Sequence, residues 1–163
     1  MPIRPARPAD AEALAPLVAA FRVALAALRG GERLPDLEAA RAEITDWFTD
    51  DRYPVFVAPA ADALAGYLVC RVEDGVVWAE QLYIDPAWRR RGFAGALYAE
   101  AERLAESLGG DTVYNWVHPN NDAIIALLRR RGYTVLNLVE VRRPREGEHP
   151  AGTIQVGQHT FDY

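Results

Sequence analysis

The sequence predicts an α/β protein. Its core is a central mixed, largely antiparallel sheet of six to seven strands, with about four helices flanking both faces. Three observations carry that prediction. The elements run strand–helix–helix–strand–strand–strand–helix–strand–helix–strand. Asp74-Gly75 stands between two apolar runs, a strong hairpin signal that makes the middle strands an antiparallel meander. A strand–helix–strand run from Val76 to Val117 needs a crossover, which makes its two strands parallel.

The elements follow in order. Pro2 to Arg7 is short and Pro-interrupted, so it is an edge strand at best. Asp10 is the expected N-cap of a helix over Ala11–Leu28, with Leu14, Leu17, Val18, Phe21 and Leu25 on one face. Gly30-Gly31 ends it. A second helix covers Asp36–Phe48, with Leu37, Ala40, Ile44, Trp47 and Phe48 as its apolar side. Tyr53–Pro59 is a strand, Ala60–Ala63 a turn, and Gly66–Glu73 and Val76–Ile84 the next two strands. A helix from about Gly95 to Leu108 carries Leu97, Ala101, Leu104 and Leu108 on one stripe. Thr112–Val117 is the crossover strand, Asp122–Arg131 a helix stopped by Gly132, and Thr134–Arg143 the last clear strand. From Pro144 the chain is polar and rich in Gly and Pro. A weak strand in Thr153–Tyr163 is free to pair back on the sheet or to cross to a second copy in a homodimer.

Composition excludes several classes. A chain of 163 residues, half of them hydrophobic, fits one domain over 1–163 with a sizeable core. A net charge of −5 argues against nucleic-acid binding. A lone cysteine, Cys70, excludes a disulfide framework and a cysteine-rich metal site. It reads as a small buried hydrophobe. His118, His149 and His159 make no metal-ligand spacing, so no metal is expected. The first residues lack the apolar stretch of a signal peptide. No apolar run is expected to span a bilayer, so a cytoplasmic protein without membrane partners is expected.

The stretch Ala79–Gly109 organises the rest. An apolar strand ends at Asp85-Pro86, a loop carries Arg89, Arg90 and Arg91, and Gly92 precedes a long amphipathic helix. The first N–H groups of a helix lack partners and carry partial positive charge, so an anion is favoured there. Arginines add charge-assisted hydrogen bonds to phosphate. A Walker loop is excluded, since the chain has no lysine, and the Gly92-x-x-Gly95 spacing is not a dinucleotide fingerprint. Arg89-Arg90-Arg91-Gly92-Phe93-Ala94 is an R-x-x-G-x-A run. It resembles the acyl-coenzyme A pyrophosphate loop of the GNAT superfamily of N-acetyltransferases, Q/R-x-x-G-x-G/A. Glu80–Pro86 looks like that family's fourth strand, the element order is also its order, and the resemblance extends over roughly Ile3 to Val141.

The resemblance implies a GNAT-like sheet splayed where the acyl-CoA binds. It implies acetyl-CoA as cosubstrate and a small-molecule or peptide amine as acceptor. Arg89 to Gly95 would hold the pyrophosphate, and Leu82, Tyr83 and Ile84 the pantetheine arm. Asn121-Asp122-Ala123 to Gly132-Tyr133 resembles the family's N-x-x-A-x-x-L-Y-x-x-x-G-F/Y segment, with Asn121 on the pantetheine or the turn. Leu128 falls where the family often has a general-acid tyrosine. Tyr133, Tyr98 and Tyr114 are conceivable substitutes, and a thiolate also leaves unassisted. By the same resemblance Glu80 is the candidate general base, since the family often places a glutamate near the middle of this strand, acting directly or through a water; a glutamate inside an apolar strand is costly unless solvated or paired. Its alternative role is an ion pair with an arginine such as Arg71. Two rival readings stand beside catalysis: an acyl-CoA-binding or sensing module, and a phosphate-binding domain unrelated to the coenzyme.

Overall fold

The chain starts with a two-residue edge strand, β1 (Arg4–Pro5), and a single 3₁₀ turn over Pro8–Asp10. The computed structural model describes residues 2–150 and 152–162. Asp10 does not cap the helix that follows, contrary to expectation. It lies in the helical region, and its carboxylate instead accepts the Arg7 N–H at 2.7 Å and a two-point contact from the Arg4 guanidinium. That pairing holds its pKa below the usual carboxylate range.

Two helices come next, α1 (Ala11–Leu28) and α2 (Leu37–Thr49). Asp36 caps α2 by accepting the Ala39 N–H at 2.9 Å. The apolar stripe of α1 puts Leu14, Leu17 and Val18 in the core. Each such side chain contributes about 1.5–3 kcal/mol. Helix α2 adds Ala40, Ile44 and Trp47, while Leu37 is exposed. Pro8–Leu28 is long and apolar enough to cross a membrane by length and composition, against the expectation from sequence. Its Ala- and Leu-rich make-up, suited to packing in a core, passes the same test.

The meander is β2 (Val55–Ala60), β3 (Ala63–Glu73) and β4 (Val76–Ile84), and β5 (Val113–Asn115) joins it after α3 (Phe93–Ser107). Strand order is β1-β2-β3-β4-β5, antiparallel except for the β4–β5 pair. Asp74 and Gly75 both have positive φ, +52° and +78°, as a type I′ hairpin turn needs. Helices α1 and α2 cover the face bearing Val57, Tyr67, Val69 and Tyr83. Helix α3 packs on β2, β3 and β4 with Leu97, Tyr98, Ala101 and Ala105 buried; Leu108 is exposed, off the expected stripe. Helix α4 (Asp122–Arg130) completes this unit, which ends at Gly132.

One register detail shapes everything downstream. Val69 pairs with Gln81 and Cys70 with Ala79, so Glu80 has no partner on β3. Glu80 is the extra residue of a β-bulge. A bulge reverses the side-chain alternation beyond it. Gln81 and Trp78 therefore share the face of Val69 and Arg71, three residues apart rather than two or four.

The sheet has five strands, not six or seven. Thr134–Arg143, expected to be a strand, joins no ladder, and Val135, Leu136 and Leu138 are exposed. Strand propensity expresses packing against a neighbour more than an intrinsic preference of the backbone. Residues 133–163 form a second compact unit. In it the tail makes its own antiparallel hairpin, β6 (Thr153–Val156) with β7 (His159–Asp162), rather than extending the main sheet. Tyr163, the end of the expected tail strand, lies outside the described residues.

Candidate active site

Strand β4 carries the site because it outruns its neighbour. Its ladder with β5 covers Val77–Val113, Trp78–Tyr114 and Ala79–Asn115, and stops at the bulge. From Glu80 to Ile84 no strand pairs with that edge, among the described residues. The backbone N–H and C=O groups of an unpaired edge bind an extended ligand as a further strand would. Leu82, Tyr83 and Ile84 lie along this edge. The Tyr83 ring turns into the core, edge-on to Phe21 with ring centroids 6.4 Å apart.

Beyond β4 the chain makes a 3₁₀ turn, Pro86–Trp88, capped by Asp85, whose carboxylate accepts the Ala87 N–H at 2.9 Å. The arginine loop follows. Arg90 has φ of +61°, and Gly92, the residue before α3, has φ of +86°. A left-handed arginine is disfavoured by roughly 1–2 kcal/mol, and such strain concentrates at functional loops. Gly92 brings no side chain to cap α3. The first bond within the helix is Ala96 N–H to the Gly92 carbonyl, at 3.0 Å. The N–H groups of Phe93, Ala94 and Gly95 precede it, as an anion site requires. Arg89 is partly structural: its Nε donates to the Ile84 carbonyl at 3.0 Å, and its guanidinium lies 5.7 Å over the Tyr83 ring. Arg91 lies over Trp88 at 5.0 Å.

On the face covered by α1 and α2, the bulge opens into a cleft of about 270 Å³. Glu80 and Gln81 form its floor, and Arg22, Glu43, Asp46 and Tyr53 its walls. A buried polar chain runs beneath it. Tyr67 Oη donates to Gln81 Oε1 at 2.9 Å, and Gln81 Nε2 donates to Glu43 Oε1 at 2.6 Å. Arg22 of α1 closes the chain on Glu43. Gln81 is 8 % exposed, and both ends of its amide are satisfied. Burial pushes the Tyr67 hydroxyl well above its ordinary range, helped by Glu43. It is a fixed donor there.

Glu80 is half-buried and ion-paired: Arg71 Nε donates to Glu80 Oε1 at 2.6 Å. Glu80 lines the cleft, and its ion pair is with Arg71, the partner named in the alternative reading. Cys70, beside it on β3, is inert, its thiol pushed up to about 12 by burial and then by the Glu80 charge.

Asn121 is used locally. Its Oδ1 accepts the Ile124 N–H at 3.3 Å and caps α4. Leu128 is buried on α4 and donates nothing. Tyr98 Oη donates to Asn115 Oδ1 at 2.9 Å, and Tyr114 stacks on Trp78 with centroids 5.0 Å apart. His118 Nδ1 accepts the Asn120 N–H at 3.3 Å, and burial followed by the Arg29 charge lowers its pKa. No group of three or more His, Cys, Asp or Glu side chains placed to hold a metal occurs among the described residues. The sequence reading missed the bulge, Gln81, and the partnership of Arg22 with Glu43. A polar pair, Glu80-Gln81, inside an apolar strand was the available signal.

Comparison with known proteins bears on the family and the fold. Residues 22–133 match the family model described as the Acetyltransferase (GNAT) family. No curated protein sequence matches. Among solved structures, AAC(6')-Iy in complex with a CoA-S-monomethyl-acetylneamine bisubstrate analog superposes with a TM-score of 0.71 at 21 % identity, over 88 % of this chain and 97 % of that one. Aminoglycoside 6'-N-acetyltransferase AAC(6')-IG from Acinetobacter haemolyticus gives 0.66 at 19 % identity, over 89 % and 99 %. A tetramutant of the BH1408 protein from Bacillus halodurans gives 0.74 at 16 % identity, over 88 % and 99 %. These likenesses concern the fold, whereas the family model spans more than half of the sequence itself. The chain belongs to the GNAT family of acetyltransferases.

Proposed function

We propose that the protein transfers an acetyl group from acetyl-CoA to a primary amine of a cationic small molecule by direct attack. The observation that carries this reading is that β4 parts from β5 at Glu80, the same residue that floors the cleft. A thioester lying along the free edge of β4 would meet an amine arriving through the cleft. Leu82, Tyr83 and Ile84 offer backbone groups to the pantetheine. Arg89, Arg90 and Arg91, with the N–H groups at Gly92, Phe93, Ala94 and Gly95, receive the pyrophosphate. Asn121 caps the first turn of α4.

The chemistry needs few groups. An ammonium has no lone pair, so Glu80 accepts its proton, directly or through water. The free amine attacks the carbonyl carbon, a C–N bond forms, and the oxygen becomes an anion held by a backbone N–H of β4. The C–S bond then breaks and the electron pair leaves on sulfur. The amide nitrogen sheds its second proton, which neutralises the thiolate. With leucine at 128, the thiolate leaves without a tyrosine proton donor. Glu43, Asp46 and Glu80 against Arg22 make the cleft net negative, and the chain carries −5 overall, which favours cationic acceptors. The aminoglycoside acetyltransferases among the structural neighbours act on amines of that charge type.

Thermal unfolding with acetyl-CoA, and with ATP as control, tests the cosubstrate. Saturation at ~100 times the dissociation constant adds about 2.7 kcal/mol. The midpoint should then rise by roughly 5–10 °C with acetyl-CoA and stay put with ATP. Equal shifts would mean a general phosphate site, and no shift with acetyl-CoA would overturn the reading. A screen of di- and polyamines and aminoglycosides by thiol release then tests turnover. The second reading, an acyl-CoA-binding module, is favoured by the buried Leu128. It expects the thermal shift without thiol release from any amine.

A further inference from the structure

We propose that Arg71 is the positioning residue for the Glu80 carboxylate, a role that rests on the reading of Glu80 as the base. A bulge residue lacks the ladder partner that fixes its neighbours, so something else must fix its side chain. Arg71 lies on β3 opposite Trp78, the second pair beyond the bulge. Its Nε donates to Glu80 Oε1 at 2.6 Å and its Nη1 pairs with Glu73. The guanidinium is itself clamped, 5.5 Å from the Trp78 ring centroid and 5.2 Å from that of Trp116. Those two rings stack on each other at 4.9 Å. The Arg71 side chain is only 18 % exposed.

The contact is single. Arg71 presents Nε to one carboxylate oxygen rather than a two-point fork. Glu80 Oε1 is therefore anchored, and Oε2 is bonded by no protein group among the described residues. A base needs this division, one oxygen held and one open. The other charged or titratable groups near Glu80 are Arg22 of α1, Glu43 and Asp46 of α2, Tyr53 before β2, and Cys70 of β3. Arg22 is committed to Glu43, and Cys70 is neutral. Among the described residues Arg71 is thus the one cation bonded to Glu80, and its Nε fixes where the carboxylate stands.

The test compares Arg71→Gln, Arg71→Lys, Glu80→Gln and the Arg71→Gln/Glu80→Gln double variant, using the amine with the highest turnover in the screen above. Arg71→Gln should lower kcat tenfold or more, by roughly the scale that misplacing a reacting group produces, with KM for acetyl-CoA unchanged. Arg71→Lys keeps the charge and loses the directed Nε, so kcat should fall with KM for acetyl-CoA unchanged. The double variant should be no slower than Glu80→Gln alone, since the residues act as one unit.

An unchanged kcat in Arg71→Gln, a matching rise in KM for acetyl-CoA, or losses that multiply in the double variant would overturn the assignment. Should Arg71→Gln not fold, an unchanged kcat in Arg71→Lys would overturn it equally. Failure of the underlying reading looks different. There Glu80→Gln itself would turn over normally, whereas failure of the Arg71 assignment alone leaves Glu80→Gln slow and Arg71→Gln fast.

Discussion

Glu80→Gln should lower kcat by about 10²–10⁴-fold, the usual contribution of a positioned base, with acetyl-CoA affinity unchanged. The substitution is nearly isosteric. An amide oxygen can still accept from Arg71 Nε, so the bulge and the aromatic clamp are retained. The ability to take a proton is lost. Acetyl-CoA would contact the backbone of β4 and the arginine loop, which the substitution leaves alone. Steady-state kinetics with a thiol assay, beside a direct binding isotherm for acetyl-CoA, separates the two effects. A fall in kcat without a change in Kd is expected. Raising the assay pH should partly rescue the variant, because more acceptor then arrives already deprotonated. Wild-type turnover in Glu80→Gln would remove the residue from the chemistry and leave it only as a partner of Arg71.

Gly66→Ala has the largest expected effect on stability. Gly66 sits on β3 between Ala58 of β2 and Ile84 of β4. A Cβ there would stand 2.4 Å from the Tyr83 carbonyl oxygen and 2.5 Å from Ile84 Cδ1. The side chain of Ile84 can rotate away, but the carbonyl belongs to the backbone and cannot. Strand β4 must therefore shift at Tyr83–Ile84. Overpacking of this kind costs about 1–3 kcal/mol. For a chain of this length the unfolding midpoint should drop by roughly 3–10 °C. The same two residues lie on the edge proposed for the pantetheine, so acetyl-CoA affinity should weaken as well. Calorimetry and a binding isotherm check both, and a variant as stable as the wild type would show that the strands part there without penalty.

What the sequence made legible followed local rules. Asp74-Gly75 forced a hairpin, and the run from Arg89 to Ala94 marked the junction of β4 and α3. Alternating and helical periodicities placed α1 to α4 within a few residues of their observed bounds. What stayed hidden depended on partners. The bulge at Glu80 carries no glycine or proline to announce it, and it exists only in the register between β3 and β4. Thr134–Arg143 alternates like a strand but finds no ladder, because alternation states which face could be buried and not what would bury it. Asp10 looked like a cap until Arg4, six residues earlier, claimed its carboxylate. Gln81 passed unnoticed because its partners, Tyr67 and Glu43, lie 14 and 38 residues away. Glu80 stands out in the sequence itself, since a charged residue in an apolar strand demands an explanation at any register.

The short β4–β5 ladder has a consequence for the protein before any ligand arrives. A strand edge with unsatisfied donors and acceptors is a template on which another chain can build. Here that template runs from Glu80 to Ile84, with the Ile84 carbonyl already taken by Arg89 Nε, and it carries little charge beyond Glu80 itself. The coenzyme that covers it would act as a guard against association as well as a reactant. Ligand-free stocks should therefore scatter more light on storage than stocks kept with acetyl-CoA, and equal scattering would mean the edge is already protected. For a protein of this design, solubility and readiness for catalysis are set by the same four or five backbone groups.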